Sequence, residues 1–162
     1  MITEVTTPEQ IATVAALAET IWTEHYTPII GTEQVRYMLD AFQSAEAIAK
    51  QIADQNCRYY LIESDKTAIG YLGYQKRGTT LFLSKIYLLA SYRQLGYGRK
   101  ALAFLDACAK EMVCDTIELT VNRHNLGSIA AYEKLGFVKS GALVQEIGNG
   151  FVMDDWVMRK PV

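Results

Sequence analysis

The chain has 162 residues, 50% of them apolar and 21% charged, which fits one domain at about 150 residues per domain and excludes a disordered chain. Lys and Arg number 16 against 18 Asp and Glu, so no summed positive field exists to hold a nucleic-acid backbone. No stretch approaches the ~20 apolar residues of a membrane span, and no basic segment leads into an apolar run near Met1. The expectation is a cytoplasmic protein that binds neither nucleic acid nor membrane. Cys57, Cys108 and Cys114 are odd in number and lack CxxC or His spacing, so neither a disulfide framework nor a metal site is expected.

Residues 1–6 alternate as a short strand. Thr7-Pro8-Glu9-Gln10 then reads as a helix start, with Thr7 as cap, Pro8 in the first turn and Gln10 closing a capping box. Ile11, Val14, Ala15, Ala18, Ile21 and Trp22 line one helical face. A loop is expected through Pro28 and Gly31, then helices from Thr32 and after Ser44. From Cys57 the period changes to that of strands, at 57–63, 68–76 and 80–89, separated by turn-like segments and expected to form an antiparallel meander. Helical spacing returns over 98–113, a strand follows at 116–122, and a helix at 125–135 should end at Gly136 with Phe137 folding back on Tyr132 as in a Schellman cap. Residues 137–146 and 151–159 flank Gly148-Asn149-Gly150, a tight-hairpin signal. The order predicts an α+β domain over 1–162, built on a mixed sheet.

Two segments carry chemistry. Arg93-Gln94-Leu95-Gly96-Tyr97-Gly98-Arg99-Lys100 follows an apolar strand and opens an amphipathic helix. Its glycines admit a ligand close to the backbone, successive N–H groups face it, and the helix N-terminus adds partial positive charge. This is an anion cradle, neither a P-loop nor a dinucleotide fingerprint. The second segment is Asn125-Leu126-Gly127-Ser128, followed by Tyr132-Glu133-Lys134-Leu135-Gly136-Phe137.

Together, Arg93-xx-Gly96-x-Gly98 after a strand and Asn125-xx-Ser128-xxx-Tyr132 with Leu135-Gly136-Phe137 resemble the GNAT superfamily of acyl-CoA-dependent N-acetyltransferases. The resemblance implies a mostly antiparallel sheet of about six or seven strands, flanking helices, and central parallel strands that splay to admit acetyl-CoA. It implies that Ile86, Tyr87 and Leu88 run along the pantetheine arm. Gln94, Leu95, Gly96, Tyr97, Gly98 and Arg99 would receive the pyrophosphate, with Arg93 adjoining. Asn125 and Ser128 would line the cofactor, and Tyr132 would protonate the departing thiolate. A homodimer is a further family-level expectation.

A primary ammonium near pKa 10.4 must lose a proton before it attacks a thioester. Many members of the resembled family place a Glu on the strand before the glycine loop, where this chain reads Ser84, then Lys85. Proton removal through water is therefore expected, with Glu118, His25, Asp154 and Asp155 as the groups to consider. Trp22, Glu24, His25 and Tyr26 at the end of the first helix, and Asp154-Asp155-Trp156 in the hairpin, are aromatic and acidic residues that suit an amine. The N-terminal half looks like the polyamine acetyltransferase branch. Protein N-terminal acetylation and non-catalytic acyl-CoA binding are the competing readings.

Overall fold

Capping, turn chemistry and apolar period place the elements of the computed structural model, which describes residues 1–162. Strand β1 (Ile2–Glu4) leads into helices α1 (Pro8–Ile30), α2 (Thr32–Phe42) and α3 (Ala45–Asp54). Strands β2 (Cys57–Ser64), β3 (Thr67–Arg77) and β4 (Thr80–Leu88) follow. After them come α4 (Tyr97–Glu111), β5 (Thr116–Asn122), α5 (Leu126–Lys134), β6 (Val138–Gly148) and β7 (Phe151–Pro161). The seven strands form one sheet in the order β1-β2-β3-β4-β5-β7-β6. The chain's contacts group into two compact units, Met1–Gln75 with Lys85–Ala101 and Lys76–Ser84 with Leu102–Val162.

In the first unit, Thr7 and Gln10 form the capping box that starts α1. The helix does not stop at Pro28. It runs to Ile30, and the break falls at Gly31, whose φ of +88° and N–H bond to the Thr27 carbonyl close the last turn. A proline in a final turn removes a single donor, so helix persists to the first residue whose backbone turns away. Ser44 caps α3 by accepting from the Ala47 N–H. Strand β2 pairs antiparallel with β1 and β3, and the two-residue turn Asp65-Lys66, both at positive φ, joins β2 to β3. Gly70 on β3 is required by packing, because a side chain there would overlap the Tyr87 carbonyl oxygen.

In the second unit, β4 and β5 pair in parallel over Thr80–Phe82 and Thr116–Glu118, whereas β5 pairs antiparallel with β7 along its whole length. The β6–β7 hairpin turns on Asn149 and Gly150, both at positive φ, as a primed turn demands. Helix α5 ends as expected. Gly136 has φ +103°, its N–H bonds the Glu133 carbonyl, and the Phe137 N–H bonds the Tyr132 carbonyl. No helix is long and apolar enough to cross a membrane.

Candidate active site

In the first unit the end of β4 is locked to its surroundings. The Leu89 N–H donates to the Ile69 carbonyl, and Arg93 folds back to donate from Nε to the Leu88 carbonyl at 3.2 Å. A short 3₁₀ turn, Ala90–Tyr92, then delivers the glycine loop. Gln94 and Gly96 take positive φ, at +62° and +91°, and Lys100 N–H makes the first helical bond to the Gly96 carbonyl. The N–H groups of Tyr97, Gly98 and Arg99 thus precede any intrahelical acceptor, as at every helix start. The Tyr97 hydroxyl is anchored on Ser64 Oγ at 2.8 Å, and its ring packs against Tyr92.

The two glycines differ in what requires them. Gly96 needs its backbone conformation. Gly98 has no positive φ, and a Cβ built there meets nothing within 4 Å. Nothing in the chain's own packing calls for glycine at that position, where alanine would favour the helix. What the missing side chain leaves is open space beside the first amides of α4, a surface suited to a phosphate. Gly127, at the second position of α5, is open in the same way.

The predicted aromatic group assembles around β4. Tyr26 and Tyr87 share a hydroxyl–hydroxyl hydrogen bond at 3.2 Å. Trp22 lies 5.3 Å from the Tyr26 ring and 5.5 Å from Tyr87, and His25 lies 4.9 Å from Tyr26. Trp22 donates to the Tyr71 hydroxyl, which donates to Gln43 Oε1. Gln43 Nε2 reaches the Tyr59 hydroxyl, and Tyr59 donates to Gln51 Oε1. Sequence reading missed Gln43, a buried amide between two helices that shows no periodic signal. Glu24, on the same turn of α1, is exposed. Lys85 lies over the Tyr59 ring, and burial pushes its ammonium down to about 8.

In the second unit Asn125, buried at 4% exposure, caps α5 by accepting from the Ser128 N–H at 3.4 Å. The Tyr132 ring packs edge-on against Phe137 at 5.8 Å. The carboxylates sort by partner. Asp154 is paired with Arg123 at 3.1 Å, and that guanidinium lies over the Trp156 ring. Glu118 is paired with Arg159 at 2.7 Å. Asp155 is 2% exposed, and no cation pairs with it. Burial first, then the neighbouring Asp154, push its carboxyl up to about 6, with the Thr120 side chain working in the opposite direction.

A model of the acetyltransferase (GNAT) family matches residues 15–137, a stretch that holds the glycine loop and the Asn125–Phe137 segment. The chain belongs to the GNAT acetyltransferase family. GNAT enzymes draw their acyl group from acetyl-CoA, and this chain is accordingly an acetyl-CoA-dependent N-acetyltransferase. Solved structures share its fold. The PaiA N-acetyltransferase from Thermoplasma acidophilum, in complex with coenzyme A, matches with a TM-score of 0.82 at 21% identity, covering 100% of this chain and 99% of that one. The ribosomal-protein alanine N-acetyltransferase of Escherichia coli matches at 0.72 and 18%, covering 100% and 93%. A spermidine N-acetyltransferase chimera from Vibrio cholerae matches at 0.70 and 20%, covering 99% and 95%. At these identities the likeness is one of fold. The open amides at the start of α4, with Arg99 and Lys100 beside them, suit the pyrophosphate of a GNAT cofactor.

Proposed function

We propose that residues 1–162 form one cytoplasmic acetyltransferase domain that transfers the acetyl group of acetyl-CoA to the nitrogen of a small primary amine, a polyamine being the leading class. The observation that carries the cofactor side is Gly98, which leaves room for a ligand at a helix start and answers to no packing need of its own. Amides from Gln94 to Arg99 hold the diphosphate, and the backbone of Ile86, Tyr87 and Leu88 aligns the pantetheine. Asn125 and Ser128 complete the cofactor contacts. When bound, acetyl-CoA supplies an activated acyl carbon that an amine attacks directly.

Further groups serve that attack. A backbone N–H near Leu88 stabilises the oxyanion, since a donor fixed in advance costs no reorganisation as charge develops. Tyr132 delivers a proton to the leaving sulfur, and the Phe137 ring and the Schellman turn hold it in place. On the acceptor side, His25 and Tyr26 offer aromatic surface to an ammonium, with Glu24 one residue away. Asp154 contributes negative charge from β7, tempered by Arg123.

CoA release measured across polyamines, amino acids, aminoglycosides and peptides tests the reading. Turnover of polyamines above the other classes is expected. Preferred turnover of peptides would replace the small-amine acceptor with a protein N-terminus. Binding of acetyl-CoA without turnover of any amine would leave a non-catalytic acyl-CoA-binding domain.

A further inference from the structure

An alkylammonium acceptor is almost wholly protonated at neutral pH, so its acetylation needs a place for a proton. Of the groups the sequence offers, Glu118 and Asp154 are each neutralised by an arginine, and His25 packs edge-on against Tyr26. Asp155 is different. It is buried, unmatched by any cation, and set beside Thr120 on the same face of the adjacent strand.

Register puts that carboxylate in a row. Phe82 on β4 pairs with Glu118 on β5, so Ser84 and Thr120, two residues further on, stay on the same face. On β5 and β7, Thr120 pairs with Val157 and Asn122 with Asp155, which brings Asp155 to that face too. Ser84, Thr120 and Asp155 therefore run across β4, β5 and β7, and β4 continues directly from Ser84 into Ile86–Leu88. The carboxylate absent at Ser84 stands two strands away, with a hydroxyl-bearing residue between.

We propose that Asp155 is the terminal proton acceptor for the amine, reached through the Thr120 hydroxyl and the Ser84 position. The inference rests on the amine-acetylation reading above, and it replaces transfer to bulk water with a dedicated group. The ammonium releases one proton along the row to the Asp155 carboxylate, and the freed lone pair forms the C–N bond as the C–S bond breaks. The nitrogen's second proton balances the one that the thiolate takes up, and Asp155 returns its proton to water before the next cycle. On β5, Asn122 stands directly opposite Asp155 and Thr120 lies two residues along on the same face, β6 presents Leu143 opposite it, and Asp154 adjoins it on its own strand with its side chain on the other face. The carboxyl must be ionised to act, so activity falls as pH drops through about 6.

The test is the pH dependence of kcat/KM for the best amine of the panel, in wild type and in Asp155→Asn. With an ionised base and a protonated amine as the reacting forms, wild type should be level from about pH 6 to the amine's own pKa. Asp155→Asn should lose about 10²-fold at pH 7. Its profile should instead climb with unit slope toward the amine pKa, with stabilisation by acetyl-CoA unchanged. A profile and rate equal to wild type in Asp155→Asn would overturn this inference and leave the amine acetyltransferase reading standing, whereas no turnover of any amine by wild type would overturn both. Thr120→Val, which removes the hydroxyl that passes the proton, should lose rate at pH 7 and take on the same rising profile as Asp155→Asn. A wild-type rate and profile in Thr120→Val would also count against the row, even were Asp155→Asn to misfold.

Discussion

Gly96 and Gly98 stand two residues apart and separate two explanations of one loop. A glycine turn that merely starts a helix needs Gly96, whose φ is +91°, and has no use for Gly98. Gly98→Ala should therefore stabilise the free protein by about 0.5–1 kcal/mol through helix propensity while weakening acetyl-CoA binding. Thermal melts with and without ligand read both effects. Equal ligand stabilisation in the variant would reduce the loop to a cap. Tyr132 poses a similar choice, because its ring already has a structural partner in Phe137. Tyr132→Phe keeps the ring contact and removes the hydroxyl, so kcat should fall by about 10²–10³-fold with acetyl-CoA binding preserved if that hydroxyl supplies the leaving-group proton. An unchanged kcat would return the residue to packing alone.

At the scale of elements, the parts legible in the sequence were those with a local cause. Thr7 and Gln10 announce α1, Asn149-Gly150 announces the last hairpin, and Gly136-Phe137 announces the end of α5, because each signal is written within a few residues of the structure it makes. Pro28 misled because a proline's effect depends on how far the helix still has to run. Asp154 and Asp155 were indistinguishable in sequence, since adjacent strand residues face opposite ways and only the register with β5 shows which one is buried and unpaired. Gln43 was invisible for a further reason, that two of its three partners lie on strands well along the chain. The amide bridges Tyr59, Tyr71 and the Phe42 carbonyl. Gln43→Leu should cost about 2–4 kcal/mol by stranding buried hydroxyls, measured by urea unfolding. A loss below 0.5 kcal/mol would show that the tyrosines find other partners without strain.

For the molecule as a whole, fold and chemistry separate. A polyamine enzyme and a ribosomal-protein enzyme match this chain with nearly equal TM-scores, so the acceptor must be read from side chains, whereas the cofactor is common to the family. Binding of that cofactor is also the property that a global measurement sees best. Acetyl-CoA at 100 times its Kd should add about 2.7 kcal/mol to the unfolding free energy. That raises Tm by about 5–10 °C for a protein of this size. The protein's formal charge is −2, so in the proposed site attraction for a polyanion is local, supplied by Arg93, Arg99, Lys100 and the α4 amides within a Debye length of about 8 Å at physiological salt. Raising the salt to 1 M should shrink the ligand-induced shift while leaving the melting of the free protein nearly unchanged. Gly96→Val should abolish the shift at any salt, by straining the left-handed turn and filling the approach to the backbone. A shift insensitive to salt and retained in Gly96→Val would mean that acetyl-CoA is held elsewhere on the protein, and the cradle would lose its assignment.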